Sequence, residues 1–211
     1  MRKLSNQTLK EFYQYDKKYF FKACGLRTFN AIENIHADLI GINFSPISKR
    51  KISEENLNSY VHQDNLVAVF KENSYAEILK ITEKFNFSYI QFYVNELNLE
   101  QIKTIKCKKI LAFNPNVDSE LNQALKVAKY IDFFILDGSI PGSGTEISLE
   151  KAVDFPYPFL LAGGINANNL HKINNLPNCI GIDSASGVET LGEFDVKKVD
   201  EILGFLISFA F

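Results

Sequence analysis

Two side chains that could move protons stand at the ends of short apolar runs in this sequence. Cys24 closes the run YFFKACG (19–25), and Asp137 closes the run FFILDG (133–138). A thiolate can remove a proton from carbon, and a carboxyl group can deliver one to oxygen. Each residue also has a plain structural interpretation, because cysteine is a common core residue and aspartate often binds the backbone of the next turn. The two residues alone leave both interpretations open.

Glycine-rich turns follow two later apolar runs and are candidates for binding an anion. AGGIN (162–166) and SASG (184–187) come directly after these runs. Glycine lets backbone N–H groups approach an anion closely, and the start of a helix adds a favourable dipole. GSG (142–144) could close over the same anion, although turn formation alone would also explain all of these glycines. The anion-binding candidates are Gly144, Gly163, Gly164, Ser186 and Gly187.

A basic loop and one strand add two candidates for substrate binding. Arg50 lies in the loop SPISKRKIS (45–53). Its guanidinium could bind a carboxylate through two parallel hydrogen bonds, or it could be a solvated surface charge. Gln91 brings an amide into the apolar run YIQFYV (89–94).

These residues are embedded in an alternation of apolar runs and amphipathic segments. The runs are apolar on both faces, as strands of a covered parallel sheet are, and each is followed by apolar residues at helical spacing. Eight β-then-α units in one chain predict a (β/α)8 barrel, whereas an open doubly wound sheet needs a switch point that nothing here marks. The predicted strands are 19–25, 38–44, 66–70, 89–94, 109–114, 133–138, 159–164 and 179–187.

The expected fold class is therefore α/β, a single (β/α)8 TIM barrel, with its chemistry at the carboxyl ends of the strands. No linker rich in Pro, Gly or Ser divides the chain. We predict one catalytic domain over residues 19–211, preceded by an N-terminal extension over residues 1–18. The predicted helices are 28–36, 53–62, 74–85, 97–105, 119–130, 148–153, 166–173 and 195–211.

The composition argues against several other classes of protein. The 211 residues carry a formal net charge of −2, so neither nucleic acid nor an acidic membrane is expected as a partner. No apolar run approaches the roughly 20 residues that span a bilayer. The three cysteines and three histidines lack metal-ligand spacing, so no zinc or other metal site is expected. The odd number of cysteines fits a reducing cytoplasm.

Five motifs at the strand ends resemble those of the phosphoribosylanthranilate isomerase family, (β/α)8 enzymes of tryptophan biosynthesis. The likeness runs from about residue 20 to the C-terminus, in the family's order. It departs at QFYVNE (91–96), where Tyr93 and Val94 replace the His and Gly of the family's Q-L-H-G-x-E. It departs again at EISL (146–149), which occupies the position of the family's F-D-W element, and the chain has no tryptophan. The matching motifs are KACGLRT (22–28), GINFSPISKR (41–50), ILDGSIPGSG (135–144), LAGGINANNL (161–170) and GIDSASGVET (181–190).

The resemblance implies an Amadori rearrangement of an aminoaldose into an aminoketose, with no cofactor or metal. By the family's pattern Cys24 is the general base and Asp137 is the general acid. Arg50 holds the anthranilate carboxylate, and Gln91 is a further substrate-binding residue. The substrate is a small phosphosugar carrying anthranilate. The sequence does not give the oligomeric state and leaves both a monomer and a homodimer open. The phosphate is expected against Gly144, Gly163, Gly164, Ser186 and Gly187.

Two other functions compete with this interpretation. A ribulose-phosphate epimerase is also a barrel that binds a phosphosugar, but it uses paired aspartates and metal-binding histidines at strand ends. No histidine of this chain falls at a predicted strand end. A non-catalytic phosphate-binding barrel would tolerate loss of the acid or the base, and both are present.

Overall fold

Eight parallel strands form a closed barrel in which each strand pairs with its neighbours in chain order. The computed structural model describes residues 19–29, 32–138 and 149–208. The barrel confirms the predicted fold class, and the predicted extension over residues 1–18 lies outside the described residues. The strands are β1 (Phe20–Leu26), β2 (Leu39–Asn43), β3 (Leu66–Val69), β4 (Tyr89–Tyr93), β5 (Lys108–Phe113), β6 (Phe133–Asp137), β7 (Phe159–Ala162) and β8 (Cys179–Ser184).

Alternate residues of each strand enter two separate apolar layers. One cluster fills the inside of the barrel and includes Val67, Ile110 and Leu160. The other, larger cluster packs the outer strand faces against the surrounding helices. Because successive side chains of a strand point to opposite faces, a strand buried on both sides reads as a continuous apolar run.

The barrel closes between its first and last strands. β1 pairs with β2 on one side and with β8 on the other, and Lys22 lies opposite Asp183 in the β1–β8 register. Lys22 and Cys24 are two residues apart on β1, so both side chains point into the barrel. This register brings residues from the two ends of the domain into one place.

The helices around the barrel differ in length. The helix that follows β3 begins with a capping box between Ser74 and Glu77. It ends at Asn86, which has a left-handed backbone. No helix of the described residues has the combined length and apolar character needed to cross a membrane. The α-helices are α1 (Glu54–Leu57), α2 (Tyr75–Phe85), α3 (Leu99–Thr104), α4 (Asp118–Val127), α5 (Leu149–Val153) and α6 (Val196–Ser208).

Three predicted α-helices are wrong in type or length. The described part of the segment 28–36 has the 3₁₀ turn Ile32–Asn34 in place of an α-helix. The segment 53–62 shortens to α1, and 166–173 becomes the 3₁₀ helix Leu170–Asn175. In the last of these, asparagine side chains bind nearby backbone groups, including Asn166 to the carbonyl of Gly164. Such local bonds compete with the helical ladder, which shortens the element.

A short hairpin follows the last barrel strand. Its strands are β9 (Glu189–Thr190) and β10 (Glu193–Phe194), and they pair antiparallel. The hairpin brings Glu189 to the rim of the barrel at the carboxyl end of β8.

Candidate active site

A cavity of about 610 Å³ opens at the carboxyl ends of the barrel strands. Gly144 lies outside the described residues, and Gly187 is not among the residues that line this cavity. The fold therefore brings most of the predicted site residues to one place, as the barrel architecture requires. The predicted residues that line the cavity are Cys24, Arg50, Gln91, Asp137, Gly163, Gly164 and Ser186.

Cys24 lies beside an ion pair that joins β1 to β8 and whose lysine is fully buried. Lys22 has no exposed surface, and its Nζ donates a hydrogen bond to Asp183 Oδ1 at 2.7 Å. Gly41 on β2 makes room for this cluster. A Cβ at Gly41 would lie 2.7 Å from the sulfur of Cys24 and 3.1 Å from Lys22 Nζ. A side chain at position 41 would therefore displace both the thiol and its neighbouring ammonium.

The charges around Cys24 act on it in opposite directions. Burial raises the pKa of the Cys24 thiol, and the carboxylate of Asp183 raises it further. Lys22 lowers that pKa through its charge and a hydrogen bond, and Arg50 lowers it through its charge. Burial outweighs them, so Cys24 rests as a thiol at neutral pH, next to a cation that would stabilise its thiolate.

Lys22 itself stays charged despite its complete burial. Burial disfavours the ammonium, but the negative charge of Asp183 and the hydrogen bonds to Asp183 and Cys24 outweigh it and raise the pKa of Lys22. Burial also raises the pKa of Asp183, against the pull of Lys22. Lys22 therefore serves as a permanent cation inside the barrel.

Asp137 is the last residue of β6 and lines the cavity three strands away from Cys24 around the ring. Tyr93, at the end of β4, lies near both Cys24 and Asp137. Burial raises the pKa of Tyr93, as do the negative charges of Asp137 and Asp183. Tyr93 is therefore a neutral phenol that can donate a hydrogen bond into the cavity.

Arg50 binds an acidic side chain of the protein itself. Its Nε and Nη2 donate to the two carboxylate oxygens of Glu189 at 2.6 and 2.7 Å. The side chain passes over Gly25, where a Cβ would lie 2.9 Å from Arg50 Cδ and where φ is +101°. Arg50 lines the cavity as predicted. The side of its guanidinium that carries Nε and Nη2 is bound to Glu189.

Gln91 is buried at the wall of the cavity with an unmatched acceptor. The residue is 2% exposed, and its Oε1 accepts no hydrogen bond from the described residues. A buried carbonyl oxygen without a partner is costly. The neighbouring cavity could supply a donor from a substrate hydroxyl group.

The turns after β7 and β8 differ in what they offer an anion. Gly163 and Gly164 have φ values of 91° and 73°, a backbone that glycine adopts without strain. Ser186 begins the 3₁₀ turn Ser186–Val188. A Cβ at Gly187 would overlap the carbonyl oxygen of Ile165. Gly187 is therefore required by packing between the two turns.

Several residues of the site were not identified by sequence reasoning. Lys22 and Asp183 could have been found, because each is a charged residue inside an otherwise apolar run. Glu189 had no such signal, since only the folded rim brings it to Arg50. Among the described residues, no group of three or more His, Cys, Asp or Glu side chains is arranged to hold a metal ion.

The chain is similar to known proteins over most of its length. A family model described as N-(5'-phosphoribosyl)anthranilate isomerase matches residues 21–204. The N-(5'-phosphoribosyl)anthranilate isomerase of Oceanobacillus iheyensis is 35% identical over 196 residues, which cover 87% of this chain and 95% of the relative.

Two solved structures agree with this match. The enzyme of that name from Pyrococcus furiosus is 26% identical, with a TM-score of 0.70 over 90% of this chain and 99% of its own. The phosphoribosyl anthranilate isomerase of Thermotoga maritima, at 24% identity and the same coverage, shares the fold with a TM-score of 0.75. The extent of the family match and the identity to the Oceanobacillus protein place this chain in the N-(5'-phosphoribosyl)anthranilate isomerase family.

Proposed function

We propose that this chain converts N-(5-phosphoribosyl)anthranilate into 1-(2-carboxyphenylamino)-1-deoxyribulose 5-phosphate, with Cys24 as general base and Asp137 as general acid. The reaction is an Amadori rearrangement in tryptophan biosynthesis. The observation that carries the assignment of roles is the placing of the Cys24 thiol beside Lys22, across the same cavity from the Asp137 carboxyl group.

Asp137 begins the reaction by opening the sugar ring. Its carboxyl group gives a proton to the ring oxygen as the bond from that oxygen to C1 breaks. The lone pair of the anthranilate nitrogen forms a double bond to C1, so the ring opens to a protonated Schiff base. A positioned acid is needed because an alkoxide is a poor leaving group near neutral pH.

Cys24 acts in the next step, in which the proton on C2 is removed. The positive Schiff base acidifies the C2 proton. Cys24 removes it in the thiolate form, which is in equilibrium with the resting thiol through loss of its proton to solvent, and an enolamine is left. C1 then takes up a proton as the hydroxyl group on C2 loses one, which gives the ketone. Lys22 acts on this step as a positioning residue, because its buried ammonium stabilises the thiolate form of Cys24.

Binding at the two ends of the substrate sets its orientation between acid and base. The backbone of Gly163, Gly164 and Ser186 faces the phosphate in this proposal, at the usual anion site of such barrels. Gly144 and Gly187 stay predictions for the same site. Gln91 accepts a hydrogen bond from a ribose hydroxyl group. Arg50 contributes its charge and its remaining Nη1 group to the anionic substrate.

The direct test is turnover by the wild-type chain in a coupled fluorescence assay. Phosphoribosylanthranilate is generated in place, and the decay of its fluorescence is followed. Turnover supports the isomerase. Binding of the reduced product analogue without turnover would indicate a phosphate-binding protein, and absence of both would indicate a different substrate.

The titration of Cys24 can be followed separately from turnover. We expect its rate of alkylation by iodoacetamide to rise about tenfold per pH unit from pH 6.5 to 9, because the thiolate reacts and burial keeps its pKa above the ordinary value of 9.0. In Lys22→Gln the pKa rises further, so alkylation at a given pH slows.

Mass spectrometry of each cysteine gives the measurement. Cys179 is an internal control, because burial raises its pKa to about 11 and it lies at the opposite end of the barrel. Equal alkylation rates at Cys24 in wild type and Lys22→Gln would show that Lys22 does not act on the thiol.

The phosphate site can be tested at Gly164 with two variants of equal size. Asn and Asp both tolerate a left-handed backbone, and the space around a Cβ at this position is open. We expect Gly164→Asp to raise KM about tenfold or more over Gly164→Asn, because only the carboxylate repels a phosphate held nearby. Equal KM values in steady-state kinetics would remove Gly164 from the phosphate site.

We also propose that the enzyme works in the cytoplasm. All three cysteines are free thiols, which suits a reducing compartment. Fractionation of cells that express the chain, followed by immunoblotting, tests the location.

A further inference from the structure

We propose that Glu189 is a positioning residue for the carboxylate end of the substrate, because it fixes which edge of the Arg50 guanidinium faces the cavity. The inference deepens the proposed function and rests on it. Sequence reasoning identified Arg50 but assigned no role to Glu189 or to the hairpin of β9 and β10.

Glu189 binds one edge of the guanidinium of Arg50. A guanidinium has five N–H donors in one plane. Glu189 accepts from Nε at 2.6 Å and from Nη2 at 2.7 Å. Within the part of the chain that the structure describes, the guanidinium makes hydrogen bonds to no other residue. The edge formed by Nη1 and Nη2 matches a second carboxylate, so Arg50 can bind Glu189 and the substrate at the same time.

The rest of Arg50 is also held in place, so the bond to Glu189 sets the direction of the guanidinium. The side chain starts in the loop after β2 and crosses the end of β1, where it lies over Gly25. A Cβ at Gly25 would be 2.9 Å from Arg50 Cδ. The backbone N–H of Arg50 donates to Ser48 Oγ at 3.1 Å. The second edge of the guanidinium is therefore the one that can face the cavity, which Arg50 lines.

Glu189 is itself fixed through both its backbone and its side chain. Its N–H donates to the carbonyl of Ser186, and its carbonyl accepts from Lys198 Nζ at 2.6 Å. Its side chain is 9% exposed, and Arg27 Nη2 lies 3.8 Å from its Oε1. A long arginine side chain without such a partner would lose its conformational freedom only on binding substrate, which weakens binding.

The segment 186–189 joins this contact to the predicted phosphate site. Ser186 lines the cavity at the start of its 3₁₀ turn, and Glu189 follows three residues later. Val188 between them is fully buried, and its carbonyl accepts from the N–H of Asp195 at 2.8 Å. The segment therefore sets the spacing between the phosphate and the carboxylate of a bound substrate, which orients the reacting carbons.

The test compares two ligands that differ only in the carboxylate. They are the reduced product analogue with its carboxyphenylamino group and the phenylamino compound that lacks the carboxylate. Calorimetry gives the dissociation constant of each ligand for wild type and Glu189→Gln, and the ratio of the two constants is the preference for the carboxylate. Glu193→Gln is the matched control, because it makes the same change on the same hairpin at a side chain that is 75% exposed.

We expect Glu189→Gln to lower the preference about tenfold, as for residues that act together, and Glu193→Gln to keep it. Glutamine has one acceptor oxygen in place of two, so the guanidinium can turn away from the cavity. Binding of the phenylamino analogue stays close to that of wild type. In turnover Glu189→Gln raises KM more than it lowers kcat, because the carboxylate contact is the same in ground and transition states.

A double-mutant cycle shows whether Glu189 acts through Arg50. Lysine lacks the flat edge that binds two carboxylate oxygens, so Arg50→Lys lowers the preference by itself. We expect Glu189→Gln to lower it no further in that background. An equal effect of Glu189→Gln with and without Arg50→Lys would overturn the inference, because Glu189 would then act independently of Arg50.

Glu189→Asp is the second variant and keeps the inference testable if Glu189→Gln does not fold. It keeps the charge, but its side chain is one methylene shorter and cannot hold both Nε and Nη2 at the distances of wild type. We expect a preference between those of wild type and Glu189→Gln. An unchanged preference in both variants would overturn the inference.

Two further results would also overturn it. A higher preference in Glu189→Gln would mean that Glu189 competes with the substrate for Arg50. Equal weakening of both analogues would mean that Glu189 only supports the fold of the hairpin. Failure of the proposed function gives a different result, because wild type would then neither turn over phosphoribosylanthranilate nor prefer the carboxylated analogue.

Discussion

Cys24→Ser and Asp137→Asn are each expected to lower kcat by about 10²-fold to 10⁴-fold, the range lost with a positioned acid or base. A serine hydroxyl is too weak an acid to supply the base that a thiolate supplies. An asparagine amide has no proton to give to the ring oxygen. Stopped-time assays at high enzyme concentration measure the residual turnover, and the reduced product analogue measures whether the site still binds.

An isotope effect separates the two roles. With substrate carrying deuterium at C2 of the ribose, we expect a large effect on kcat in Cys24→Ser, because removal of that hydrogen becomes rate-limiting. In Asp137→Asn ring opening limits the rate and the effect is small. The control is Cys179→Ser, whose sulfur binds the carbonyl of Gly181 away from the cavity. More than a tenth of wild-type kcat in Cys24→Ser would assign the base to another residue.

Asp183→Asn is expected to lower the free energy of unfolding by about 3 to 5 kcal/mol, the range for breaking a buried ion pair. The change leaves Lys22 as an ammonium with no exposed surface and no counter-charge. Urea unfolding followed by circular dichroism measures the loss. We expect Lys22→Met to cost less, because Asp183 keeps 10% of its side chain exposed at the cavity.

The double variant Lys22→Met/Asp183→Leu tests whether charge alone causes this loss. It removes both charges from the barrel, so its stability should return close to that of wild type, while its activity should stay low. Glu100→Gln is the control, since it breaks an exposed pair with Lys103 and should leave stability unchanged. A loss below about 1 kcal/mol in Asp183→Asn would mean that Lys22 is hydrated in solution.

The strands were predictable because burial on both faces leaves a strong local pattern. LVAVF and FLLAGG each match a barrel strand to within two residues. Helices were harder to predict where asparagine and serine are frequent. In 53–62, for example, Ser59 binds the carbonyl of Asn56 instead of continuing the helix. Periodicity detects the apolar face of a helix, but it does not detect the competing side-chain bonds.

The site was predictable in its location but not in its pairings. Strand ends gave Cys24 and Asp137, because a barrel puts all such ends on one rim. The bond between Arg50 and Glu189 joins residues 139 positions apart, and no local signal announces it. Arg50 could be read from sequence as a solvated charge or as a ligand for substrate, whereas its main partner is part of the protein.

The ion pair between Lys22 and Asp183 also has a consequence during synthesis of the chain. The two residues are 161 positions apart, so a nascent chain carries Lys22 long before its counter-charge leaves the ribosome. Until β8 emerges, β1 lacks one neighbour and Lys22 must remain in water, because burial without Asp183 is costly. The last strand therefore both closes the barrel and permits Lys22 to enter beside Cys24. We therefore expect the active site to form only when the last strand closes the barrel.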